Sequence, residues 1–379
     1  MPTADKFDLA IIGGGPAGTS AAITAARLGI SVALFEAREY PRHKVCGEFV
    51  SAEALGVLAN LLKDVPCGRV LLGRAPAISS TRFWLGPRML EAAVLPAGIS
   101  IARFDLDSCL WRAAQAAGAE ALAGCEVRAT IGGGPFELQT SAGVIRARAL
   151  IVAAGRWSQL LRDRTIPPGP RWIGVKGHFR ARRPDLCTDL YFFDRGYCGV
   201  QPVSEDVVNA CAMVRADQAT SMPEVLRLHA GLEQQSRSWI PVTQTITTAP
   251  LIYRRPQPVD GNVIFAGDAA AFIDPYVGDG ISIALRSGRV AAQSVCRFLD
   301  GEISLSDAAA LYEREYSRQF APLWTAASRV RPLLSLPPLA RAAVFELLRL
   351  PGLMPYLIRR TRRANIGHHR RPGPCGGEA

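Results

Sequence analysis

One short stretch of this chain sets a thiol among cations. In Pro41-Arg42-His43-Lys44-Val45-Cys46-Gly47-Glu48, three basic side chains precede Cys46 closely. Neighbouring positive charge draws a thiol towards thiolate or lets it hand over a proton, so Cys46 and Lys44 are the candidates for catalysis. The same cations, Arg42 among them, could instead hold phosphates while Cys46 only packs. Either way, the loop including Gly47 belongs beside a ligand.

A ligand of that kind is announced upstream. Leu9-Ala-Ile-Ile12 runs into Gly13-Gly14-Gly15-Pro16-Ala17-Gly18. An alanine-rich segment follows, then Val32-Ala-Leu-Phe35 and Glu36-Ala37. This order predicts a strand, a tight turn, a helix, a second strand and an acid, the pattern of a dinucleotide site. Gly13 permits the turn, Gly15 lets the backbone approach a pyrophosphate, and Gly18 lets the helix pack closely. The helix start at Pro16 and Ala17 turns free N–H groups and a positive dipole end towards phosphate. Glu36, about twenty residues on, is placed to accept from ribose hydroxyls. An acid there favours FAD or NAD over NADP.

A second stretch has the same logic. Val263-Ile-Phe-Ala266 reads as a buried strand ending in Gly267-Asp268, and Pro275, Gly278, Gly280 and Ile281 then lead into a helix. Asp268 can hold the hydroxyls of a ribityl chain. N–H groups at Gly280 and Ile281 can face a flavin carbonyl and stabilise negative charge on the reduced ring.

The elements that position these residues predict an α/β protein. The chain has 379 residues, 49% of them hydrophobic, enough for two joined domains. Residues 1–66, 100–170 and 255–300 read as a discontinuous dinucleotide-binding domain of Rossmann type. Ala149-Leu-Ile-Val-Ala-Ala154 supplies a fully apolar strand. Residues 67–99 and 171–254 read as short strands with turns, an inserted antiparallel sheet, with residues 223–238 as a helix and 241–253 as strand. A helix with a capping Asp or Ser is expected around 103–118, another over 280–299, and a helical region over 301–358. A basic tail, 359–379, ends the chain.

Charge and cysteines exclude other classes. Formal net charge is +11, but six arginines lie between Arg359 and Arg371, so most of the excess sits in the tail and no nucleic-acid partner is expected. The nine cysteines show no CxxC pair, no zinc pattern and no disulfide regularity, and no signal peptide is visible. A cytoplasmic protein without a metal is expected.

With both glycine stretches in view, the chain resembles the FAD-dependent oxidoreductases of the para-hydroxybenzoate hydroxylase type, most of all their geranylgeranyl reductase-like branch, with flavin-dependent halogenases as close relatives. The resemblance covers about residues 7–300 and implies FAD as cofactor. It implies that Gly13, Gly15 and Gly18 hold the pyrophosphate and Glu36 the adenosine ribose. It places Arg103, in Arg-Phe-Asp-x-x-x-x-Leu, along the FAD, Asp268 at the ribityl and pyrophosphate region, and Gly278 and Gly280 against the isoalloxazine. Ala37, Arg42, Cys46, Gly47, Val127, Ala154 and Gly155 complete the expected cofactor contacts. Ala154 stands where the family carries an acid. The segment Pro41 to Gly47 resembles the reductase Pro-x-x-Lys-x-Cys-Gly loop beside the flavin.

Gly196-Tyr197-Cys198-Gly199 resembles a family strand facing the flavin, with Gly199 in place of a tryptophan, which opens the pocket. The halogenase tryptophan pair is absent. Tyr191, Phe193, Tyr197 and Phe179 would line an apolar cavity, or pack as plain core. These readings imply a flavoenzyme acting on an apolar isoprenoid, lipid or polyketide-like substrate, with reduction of a carbon–carbon double bond preferred. A monooxygenase working through a flavin hydroperoxide is the alternative, and a non-catalytic flavin- or lipid-binding protein the third reading. NAD(P)H or a reduced carrier would supply electrons. The C-terminal region lacks the about 18–20 apolar residues needed to cross a bilayer. An amphipathic helix followed by arginines instead suits an anionic membrane surface, which would make the protein peripheral on the inner face of the cell membrane.

Overall fold

The computed structural model describes residues 6–157, 160, 171–253, 255–272, 278–330 and 336–350; Pro275 and the arginine-rich tail lie outside them. The chain opens with β1 (Lys6–Ile12), α1 (Pro16–Ala26), β2 (Val32–Phe35), β3 (Phe49–Val50), α2 (Ala52–Leu62) and α3 (Pro66–Arg74). The hairpin β4 (Ala77–Leu85) and β5 (Arg88–Ser100) follows. Next come α4 (Arg103–Ala116), β6 (Glu120–Leu122), β7 (Val127–Ile131), β8 (Phe136–Thr140) and β9 (Gly143–Val152). β10 (Trp172–Arg180), β11 (Cys187–Phe193), β12 (Gly196–Pro202) and β13 (Val207–Arg215) precede α5 (Met222–Leu226) and α6 (Ala230–Ser236). The chain then passes through β14 (Ile240–Pro241), β15 (Ile246–Thr248), β16 (Val259–Asp260) and β17 (Val263–Phe265). The helices α7 (Gly280–Leu299), α8 (Leu305–Val330) and α9 (Pro338–Leu348) come last.

The fold is mixed α/β with two sheets. In the first, β17, β9, β1, β2 and β6 run parallel in that order. β16 lies at one edge, and the β7–β8 hairpin pairs with β9. Register aligns Ile12 with both Phe35 and Val152, and Val152 with Phe265. Four strands therefore end level, and their carboxyl edge is where an open α/β sheet takes its ligands. The second sheet has the order β14-β10-β13-β12-β11-β4-β5-β3, with β15 on β10. It is antiparallel except at β4–β11, which is parallel.

α1 and α7 lock together beside this edge. Ser20 Oγ donates to the Leu285 carbonyl at 2.6 Å, and at Gly288 the backbone of Ala17 occupies the space a Cβ would need. The first turns of α1 thereby pack against α7 between Leu285 and Gly288.

Five local expectations are corrected. Residues 66–74 form α3 rather than strand, because Pro66 at its first turn pre-sets a helical φ. The single helix expected over 223–238 is two short ones, and 241–253 contains only the brief strands β14 and β15. α4 carries no Asp or Ser cap: its N-cap is Ala102, and the Arg103 N–H donates to the remote carboxylate Glu48 Oε1 at 2.7 Å. Cys67 of α3 and Cys109 of α4 form a disulfide, which irregular cysteine spacing did not reveal.

Candidate active site

A cavity of about 1260 Å³ lies between the sheets, lined by the glycine turn, the Cys46 loop, the start of α7, the inner face of the second sheet and α9. Its geometry follows from the strand edge upwards. β1 leads into Gly13, whose φ is +106° and where a Cβ would come 2.7 Å from Ala154 Cα of the neighbouring chain segment. Only glycine serves there. Gly15 is the N-cap of α1 and has no side chain to cap it, so first-turn N–H groups remain for a ligand. A Cβ on Gly15 would stand 3.7 Å from Lys44 Nζ and 3.9 Å from Arg103 Nη2. The turn thus faces two cations across open space, a cradle suited to a pyrophosphate.

Asp107 fixes both cations. Arg103 meets it with two bonds of 2.6 and 2.7 Å, and Lys44 Nζ lies 3.4 Å away. Burial would raise the Asp107 carboxyl, but Arg103 and Lys44 overcome this and hold it below its ordinary value. Burial lowers Lys44 against the pull of Asp107. Lys44 therefore stands at the phosphate cradle.

Glu36 is buried at the end of β2. It accepts from the N–H groups of Gly14 and Arg38, both at 3.1 Å, and pairs with Arg42 at 2.8 Å. Ala37, Arg38 and Val127 line the same end of the cavity. Further along, Ala154, Gly155, Gly267 and Asp268 line the wall, and burial raises the Asp268 carboxyl. Gly278, Gly280 and Ile281 bring the start of α7 to the cavity, and Phe49 packs close to Gly278.

Cys46 also lines this space. Its sulfur accepts the Glu48 N–H at 3.3 Å. Asn209 Nδ2 holds the Cys46 and Gly47 carbonyls, both at 3.0 Å. The cations that precede Cys46 are engaged elsewhere: Arg42 with Glu36, Lys44 with Asp107, and His43 stacked on Phe104 with its edge towards His178. Arg103, which also spans the cradle, is influenced by Cys46 as well as by Asp107. Burial would lower Arg103, but Asp107 and Cys46 raise it.

Sequence reasoning missed the group behind Cys46. Glu48 is fully buried with a left-handed φ of +66°. It accepts from Lys176 Nζ and faces His178 Nε2 at 2.7 Å. Burial would raise this carboxyl, but His178 and Lys176 hold it below its ordinary value. The available signal was Lys176 and His178 at alternate positions of an otherwise apolar strand.

The substrate residues divide by strand parity. Tyr197 and Gly199 line the cavity, but Tyr191 and Phe193 do not; Leu190 and Phe192 take their place. Side chains alternate along a strand, so Tyr191, Phe193 and Phe179 join a core on the back of the sheet. There Tyr191 stacks on Trp84 and donates to Gln235 Oε1 at 2.9 Å. The far end of the cavity is apolar, with Phe83, Leu85, Leu90 and Val94 facing Val344, Phe345 and Leu348 of α9. Among the described residues, no group of three or more His, Cys, Asp or Glu is placed to hold a metal, and no helix is long and apolar enough to cross a membrane.

Comparison with known proteins agrees with this geometry. The chain is 26% identical to the menaquinone reductase of Mycobacterium tuberculosis, covering 89% of this chain and 86% of that protein. It is 25% identical to digeranylgeranylglycerophospholipid reductase 1 of Methanococcoides burtonii, covering 77% and 76%. The fold matches that of the flavin-dependent brominase Bmp2, with a TM-score of 0.79 at 20% identity over 94% of this chain and 93% of that one. Two family profiles, each described as FAD dependent oxidoreductase, match residues 8–57 and 44–294. The second spans more than half of the chain, and the glycine cradle, two helix starts and facing cations suit a flavin dinucleotide: the protein belongs to the FAD dependent oxidoreductases, and FAD is its cofactor.

Proposed function

We propose that this oxidoreductase reduces a carbon–carbon double bond of an apolar, isoprenoid-type substrate. Bound and reduced, FAD supplies hydride. The chain's own residues do the rest. Lys44, Arg103 and the start of α1 hold the pyrophosphate, and Glu36 takes the adenosine ribose. The Gly280 and Ile281 N–H groups receive the polar edge of the ring. Cys46, or a water held by it, gives the proton that the second alkene carbon needs. NAD(P)H or a reduced carrier returns the electrons.

The observation that carries this reading is the position of Cys46. It shares one cavity with the start of α7 and with the apolar arm formed by Phe83, Leu85, Leu90, Val344 and Phe345. The reductase names of the two relatives support it. The absence of a large ring at Gly199 leaves room for a long chain.

The test is anaerobic. Reduced protein mixed with a prenyl alcohol should reoxidise at a rate that depends on the alkene, and the saturated product should appear. Failure to reoxidise, with a long-lived oxygen adduct on adding air, would assign the site to monooxygenation instead.

A further inference from the structure

We propose that α9 is a membrane-docking helix whose partner is an anionic lipid bilayer. The helix has two apolar faces. The inner one carries Arg341, Val344, Phe345 and Leu348, all lining the cavity. On the opposite side, a sixth to half a turn of the helical wheel away from these, Leu339, Ala343 and Leu347 are exposed, as is Leu350 just past the helix end. Leu339 is 87% exposed, Leu347 55% and Leu350 54%, and isolated leucines do not usually line up in this way.

The helix is anchored to the body in a way that keeps this stripe outward. Arg341 donates to the Phe193 carbonyl at 3.0 Å. Glu346, the acid bordering the stripe, is neutralised from both sides, by Arg88 at 3.1 Å and Arg349 at 3.2 Å. The charge of this region is accordingly basic, and it continues so: six arginines follow between Arg359 and Arg371. Leucines that enter the acyl boundary, in a chain whose following sequence is rich in arginine, suit a helix lying in an anionic interface. Because the other face of α9 walls the cavity, a chain docked this way turns its apolar arm towards the layer in which an apolar substrate dissolves.

The test needs no turnover, so it stands or falls separately from the reductase reading. Full-length FAD-loaded protein is sedimented with vesicles of phosphatidylcholine alone or with about a third phosphatidylglycerol. The wild type should bind the anionic vesicles. The variant L339S/L347S/L350S should bind at least tenfold more weakly, with unchanged FAD content and unchanged melting temperature. No binding of the wild type overturns the proposal, including the case where the stripe only joins two copies, seen as a dimer that the triple variant abolishes. Undiminished binding by the triple variant overturns it too, assigning attachment to the basic tail alone.

Discussion

His178 Nε2 lies 2.7 Å from Glu48 Oε2, although 130 residues separate them. This contact joins the Cys46 loop to β10 of the second sheet. Lys176 on the same strand completes the clamp, and the Arg103 N–H ties in the start of α4. Removing the carboxylate leaves buried positive groups without their partner. Glu48→Ala should cost about 3–5 kcal/mol of stability, measured by denaturant unfolding. A loss below about 1 kcal/mol would show that the clamp does not hold the loop.

Acid should weaken the same clamp. Glu48 and Asp107 are both held below their ordinary values by neighbouring cations, against the opposing effect of burial. A carboxyl depressed by folding contributes stability that is full above its unfolded pKa and lost as pH falls through the folded one. The difference in Tm between wild type and Glu48→Gln should therefore be constant near neutrality and shrink below about pH 4. A difference that stays the same down to about pH 3 would contradict the assignment of charge to Glu48.

The cradle at Gly15 makes a separate prediction. A side chain there enters the space between the turn and the two cations Lys44 and Arg103. Gly15→Val should raise the Kd for FAD about tenfold or more while circular dichroism stays native. Full FAD occupancy in that variant would place the phosphates elsewhere.

Gly199 tests the width of the apolar arm. A Cβ at this position would stand 3.3 Å from Leu190 Cδ2, and an indole would extend into the cavity. Gly199→Trp should raise KM for a twenty-carbon prenyl substrate by about tenfold or more, and spare a short enone. Equal effects on both would mean that the long chain does not pass this point.

The sequence was most legible where local rules are strict. The glycine turn, the apolar strand ending near Ala153 and the helix Gly280–Leu299 each depend on residues close in the chain, and the structure has them. The Glu48 clamp was hard to read, because its partners come from a strand far along the chain: Lys176 and His178 at alternate positions mark one face of that strand, but nothing local says that this face is buried against Glu48. Tyr191-Phe192-Phe193 offered three consecutive aromatics, so the alternation that sorts a strand into two faces had no contrast to work on. Pairing with Trp84 and Gln235 sends Tyr191 to the back. The spacing of Arg42 and Lys44 before Cys46 fits either activation of the thiol or contact with phosphates, and it cannot show their carboxylate partners, Glu36 and Asp107, which come from elsewhere in the fold.

The central claim is that Cys46 serves the reaction and not the binding of FAD. Single-turnover reoxidation of the reduced protein by a prenyl substrate, without oxygen, tests it most directly in Cys46→Ser. The account predicts unchanged FAD content with a rate lower by about a hundredfold or more. A rate equal to that of the wild type would contradict it.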